Sequence, residues 1–108
     1  MNILRHGDLL LYPIKKEGLK LKKVFEGKKF VLAEGETTGH KHVLTVAPET
    51  TKFVIYEDDK GQKYIEMNSQ GSLVHEEHKQ LTVAPDFYVV KEEQEYSYPD
   101  QETKMVLD

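Results

Sequence analysis

Apolar and polar residues alternate along this chain in short runs, with turn residues between them. Residues 8–14 form a run opened by Gly7-Asp8 and rich in leucine, which predicts a strand. Glu17-Gly18 separates it from a second run over 19–26. There Leu19, Lys20, Leu21 and Lys22 alternate singly, as in a half-buried strand with leucines inward and lysines outward. Gly27 breaks to a third strand over 29–33. The segment 34–39 is turn-rich, with Gly35 and Gly39 able to adopt positive φ, and a strand over 40–46 follows it. Residues 52–57 and 62–67 are β-branched and aromatic runs. Asp58-Asp59-Lys60-Gly61 joins them, and Gly61 suits the left-handed position of a hairpin turn. Further strands are expected over 72–75, 80–83 and 87–92, with Pro85-Asp86 as a turn. Near the end, Ser97, Pro99 and Asp100 read as the cap of a short C-terminal helix within a polar tail over 96–108, carrying Met105 and Leu107.

Nowhere else do ten or more residues place apolar positions at helical spacing. Many short strands at close spacing therefore predict an all-β fold, a small antiparallel β-barrel or sandwich. With 108 residues there is room for one core, so a single domain over 1–108 is expected.

Composition narrows the class. Apolar residues make up 38% and charged residues 31%, within the range of a water-soluble globular domain. The longest apolar run, residues 9–14, is far shorter than the roughly 20 residues that span a bilayer, and the N-terminus lacks signal-peptide regions. A cytoplasmic location and no membrane partner are the expectations. The net charge of -4 argues against a dedicated nucleic-acid binder. That charge is uneven: residues 15–29 hold seven lysines and two glutamates, whereas 91–108 hold six acidic residues and two lysines. The lysine segment reads first as a solvated face.

Chemistry concentrates in the histidines. Four of the five fall into two tight pairs, His40 with His42 and His75 with His78, while His6 stands alone beside Gly7. Side chains alternate in a strand, so His40 and His42 share a face, about 6–7 Å apart at Cα, and can converge on one ion. His75 and His78 share one side of a helical turn but opposite sides of a straight strand. Both reach the first pair only if the chain bends or bulges at Glu76-Glu77. Those two glutamates, with Glu34, Glu36 and Glu49, are candidate oxygen ligands. Without cysteine there is neither a disulfide nor a thiolate ligand, so a metal would sit on imidazole and carboxylate. The candidate cofactor is a divalent ion such as Zn, Fe, Ni or Mn, and ligand type alone does not choose among them. The alternative is a set of hydrogen-bonded histidines lining a polar cavity. Serine or cysteine nucleophile arrangements and a nucleotide phosphate cradle are not served by this sequence.

The order Gly35, His40-Lys41-His42, hairpin, Gly71 and His75 resembles the cupin superfamily over residues 35–90. That resemblance implies a small β-barrel with His40, His42 and His75 as metal ligands and His78 as an addition. The chain is also similar to a group of small phage and bacterial proteins, through Arg5 to Asp8, Thr38 to His42, His75 to His78 and Glu95-Tyr96. Two functional expectations follow. The first is a metal-binding protein with His40, His42, His75 and His78 at its site, extending to a cupin-like metalloenzyme acting on a small molecule. The second is a non-catalytic phage-encoded accessory or host-interaction protein with a protein partner. Unpaired sheet edges make a homodimer a candidate assembly for either.

Overall fold

The structure, a computed structural model, describes residues 3–34, 41–76 and 78–92. Among the described residues ten strands form, in chain order: β1 (Leu4–His6), β2 (Leu9–Pro13), β3 (Lys22–Gly27), β4 (Lys29–Glu34), β5 (Lys41–Thr45), β6 (Phe53–Glu57), β7 (Lys63–Met67), β8 (Gly71–Val74), β9 (Leu81–Val83) and β10 (Asp86–Glu92). Every pairing is antiparallel. No helix occurs among the described residues, so none there is long and apolar enough to cross a membrane. The helix expected within 96–108 lies outside the described residues.

The strands build two sheets, one of six in the order β1-β2-β10-β7-β6-β3 and one of four in the order β4-β5-β8-β9. A single path explains both orders. β3 and β4 are separated only by Lys28, β7 and β8 by three residues, and β9 and β10 by two, so each couple is one bent strand that leaves one sheet and enters the other. Neighbouring bent strands pair along both halves: β3 with β6 and β4 with β5, then β6 with β7 and β5 with β8, then β7 with β10 and β8 with β9. The result is a folded meander, completed by the β1–β2 hairpin on the outer side of β10. Among the described residues the sheets do not close, since β1, β3, β4 and β9 remain edges. Of the two expected all-β architectures, the sandwich is the one that forms.

The period-two pattern places the core between the sheets. Leu9, Leu11, Phe53, Ile55 and Ile65 from the six-stranded sheet meet Leu44, Leu73 and Val83 from the other, all at 0% exposure. The expected hairpin over 58–61 is present. Gly61 takes φ +82, and Asp58 Oδ1 accepts from the amides of Lys60 and Gln62 while Tyr64 donates its hydroxyl to Oδ2.

The lysine segment departs from its expected form. The strand begins only at Lys22, and Leu19 is 37% exposed rather than turned inward. Position in the sheet explains this. β2 and β3 lie four strand spacings apart, about 19 Å at 4.8 Å per strand, so residues 14–21 must cross the outer face of the sheet. On the way, Lys16 Nζ donates to the Tyr56 hydroxyl of β6 and to Glu66 Oε1 of β7, and lies 6.0 Å from the Phe87 ring of β10. β3 is an edge strand, where exposed lysines discourage pairing with another chain.

Candidate metal centre

Three places in the chain deliver side chains to one end of the sandwich. The first is the β1–β2 hairpin, in which His6 pairs with Leu9 and only Gly7-Asp8 lies between them. Gly7 takes φ +65, and among the described residues no non-glycine has positive φ, the sign pattern of a type II′ turn with glycine first. His6 thereby ends β1 buried at 3% exposure, and Asp8 projects beside it. The second is the start of β5, where Lys41 is exposed and His42, at 1% exposure, shares the inward face with Leu44. Opposite this point β4 is bulged between Val31 and Ala33, so that Ala33 faces His42. The third is the end of β8. The strand stops at Val74 and the chain bends at Glu76 and His78, which frees His75 and His78 from strand alternation.

The four rings gather closely. Their centroids are separated by 4.4 Å for His42–His75, 4.5 Å for His75–His78, 5.0 Å for His6–His42, 5.6 Å for His6–His78, 5.9 Å for His42–His78 and 6.2 Å for His6–His75. Four imidazoles bound tetrahedrally to one ion at ~2.0–2.1 Å would place their ring centres about 5 Å apart. Three of the expected residues, His42, His75 and His78, therefore meet. His40 lies outside the described residues. The fourth ring is His6, which the sequence left isolated; its signal was the His6-Gly7-Asp8 turn directly before a predicted strand.

Proton positions at the buried pair follow from what each outer nitrogen touches. His6 Nε2 lies 2.9 Å from the Lys79 carbonyl oxygen, and His42 Nε2 lies 3.3 Å from Asp8 Oδ1. Both partners are acceptors, so each Nε2 carries hydrogen and donates. The inner nitrogens, His6 Nδ1 and His42 Nδ1, then face each other with lone pairs at 3.0 Å. Such a pair repels unless a proton or a cation lies between.

A shared proton is disfavoured. Burial first holds the His6 imidazole below its usual range, with the Lys79 carbonyl opposing and His78 and His75 adding to the depression. For His42 burial again leads, followed by His75 and His6, while Asp8 opposes both by charge and by its hydrogen bond. At neutral pH both rings are neutral donors. As they stand, the described side chains form no ready-made group of three or more metal donors, so closure on an ion requires the gathered rings to reorient.

The surrounding contacts hold the loop rather than fill the centre. Glu76 Oε1 accepts from the Lys41 amide at 3.0 Å, tying the bend after β8 to the start of β5. Glu49 is exposed in the turn beyond the far end of β5. The Glu34 side chain, Glu36 and Glu77 lie outside the described residues. Asp58 and Asp59 belong to the β6–β7 turn. Against a desolvation that raises it, the amides of Gln62 and Lys60 and the Tyr64 hydroxyl hold the Asp58 carboxyl below its usual range.

Residues 5–93 match the family described as Domain of unknown function (DUF8820), a span that includes all four gathered histidines and Asp8. No curated protein and no solved structure matches the chain.

Proposed function

The chain belongs to the DUF8820 family, whose function is unknown, and we propose from its own residues that it is a metal-binding protein in which His6, His42, His75 and His78 hold one divalent first-row ion. The observation that carries this reading is the pair of Nδ1 atoms 3.0 Å apart, each on a ring whose Nε2–H is already committed outward. A metal-ligating histidine characteristically donates its other N–H to a carbonyl or carboxylate, which fixes the tautomer and raises the ring's basicity. Here Lys79 O and Asp8 supply one partner of each kind. An all-imidazole set favours zinc, nickel, copper or iron over the harder manganese. Four rings complete the set without His40.

His6 and His42 form the buried side and His78 the exposed one. This arrangement suits uptake of the ion from solvent onto an anchored pair. A catalytic use of the ion would act on a small molecule reaching that exposed side.

The test is elemental analysis of protein made without an affinity tag, equilibrated with zinc and dialysed. One zinc per chain is expected. Loss of most of it is expected in His78→Ala, where an exposed side chain is removed, and an affinity about 10–100-fold weaker in Asp8→Asn. Zinc that is absent, or retained equally by all three proteins, would favour the interaction-protein reading.

A further inference from the structure

We propose that a depression on the outer face of the six-stranded sheet binds a small aromatic carboxylate, independently of the histidines. Strand alternation builds its floor. Tyr88 and Val90 of β10 and Ile65 of β7 belong to the core, so Val89 and Tyr64, paired across the two strands, lie on the opposite face. Ile14, whose amide donates to the Phe87 carbonyl at 3.0 Å, brings the start of the crossing segment against β10 on one side. The β6–β7 turn stands on the other. Together Ile14, Tyr64, Val89, Lys91 and residues 58 and 60–62 border a volume of about 600 Å³, within the roughly 300–1,000 Å³ of small-molecule sites.

The polar atoms of the lining define the ligand. Asp58 Oδ1 accepts from the amides of Lys60 and Gln62, and Oδ2 accepts from the Tyr64 hydroxyl at 3.0 Å. Gln62 Nε2 donates to the carbonyls of Val90 and Lys63, and Gln62 Oε1 accepts from Lys91 Nζ at 2.8 Å. These contacts fix the wall and engage its neutral and acidic groups internally. The donors that remain are cationic. Lys60 is exposed, and Lys91 commits one N–H to a neutral amide. Among the described residues neither ammonium forms an ion pair with a carboxylate. Asp58 offsets one of the two charges, which leaves the lining with a single positive charge and matches a monoanion. Asp59 and Glu92, both exposed, stand outside the lining, where solvent screens them. The carboxylate meets the ammonium groups at the rim, and the body covers Ile14, Val89 and the Tyr64 ring. An aromatic body is favoured over an aliphatic one because a rim ammonium can also lie over a ring face. Lys16 makes that contact with Tyr56, at 4.7 Å, on the same face of the sheet.

The experiment titrates the full chain, isotopically labelled at nitrogen, with sodium cinnamate and separately with neutral cinnamamide, and follows the backbone amide resonances. Saturable shifts centred on residues 58–64 and 89–91 are expected with cinnamate. Affinity should be roughly tenfold weaker for cinnamamide, and roughly tenfold weaker for cinnamate when Lys60→Gln and Lys91→Gln are combined. The comparison of acid with amide uses the unaltered chain, so it stands whatever the double variant does to folding. Cinnamate that does not bind, that saturates a different surface, or that binds no more tightly than cinnamamide would overturn the proposal.

Discussion

At the scale of single residues, Gly7 decides whether the histidines can meet. A Cβ built there would lie 2.6 Å from His78 Nε2 and 3.2 Å from His42 Cε1, and the backbone holds φ +65. Gly7→Ala should therefore cost about 1–2 kcal/mol of stability from the left-handed backbone, read by chemical denaturation of the metal-free protein. It should also weaken zinc about tenfold or more by displacing two rings, read by competition with a chromophoric chelator. Unchanged affinity would mean that ring placement at this turn is irrelevant to binding. His6 and His42 add a pH dependence. Both have folded pKa values depressed below the ordinary 6.5, so the unfolded chain takes up their protons first. Their contribution is fully present above about pH 6.5 and is lost as pH falls through the lower folded values. Metal-free protein should melt lower at about pH 5 than at about pH 8, and His42→Gln should flatten that dependence. Residue chemistry was legible for His42, His75 and His78, whose pairing is visible along the chain. His6 was not, because its partners lie 36 or more positions away and only the fold supplies them.

At the scale of elements, local turn chemistry was the most readable part of the sequence. The Asp58-to-Gly61 turn forms as its residues require, and a Cβ at Gly61 would meet nothing within 4 Å. Gly61→Ala thus isolates backbone strain and should cost about 1–2 kcal/mol with no change in zinc affinity. A larger loss, or one that altered zinc binding, would mean the turn is coupled to the histidines at the other end of the strands. The lysine-rich element was read less well, because its alternation suggests a half-buried strand. Its true role depends on β2 and β3 being far apart in the sheet, and strand order is not written in local pattern. The His75-to-His78 element lies between these cases. A bend at the polar run was foreseeable, but whether it occurs depends on the Glu76 tie to Lys41 and the Lys79 tie to His6.

At the scale of the whole molecule, the all-β class followed from strand length and the absence of helical periodicity, whereas open edges and a folded meander did not. Bent strands that serve both sheets need only short connections at Lys28 and over 68–70 and 84–85, and a sequence reading sees these as ordinary strand breaks. That architecture sets the β1–β2 tip, the start of β5 and the end of β8 at one end of the sandwich, which is the precondition for a shared site. X-ray absorption at the zinc edge reads the ligand set itself, on wild-type protein carrying one zinc and on concentrated, undialysed His78→Ala with zinc held below one equivalent. Four imidazole nitrogens at about 2.0–2.1 Å are expected in the wild type and three in the variant. A spectrum of oxygen ligands alone, or one identical in the two proteins, would contradict that expectation.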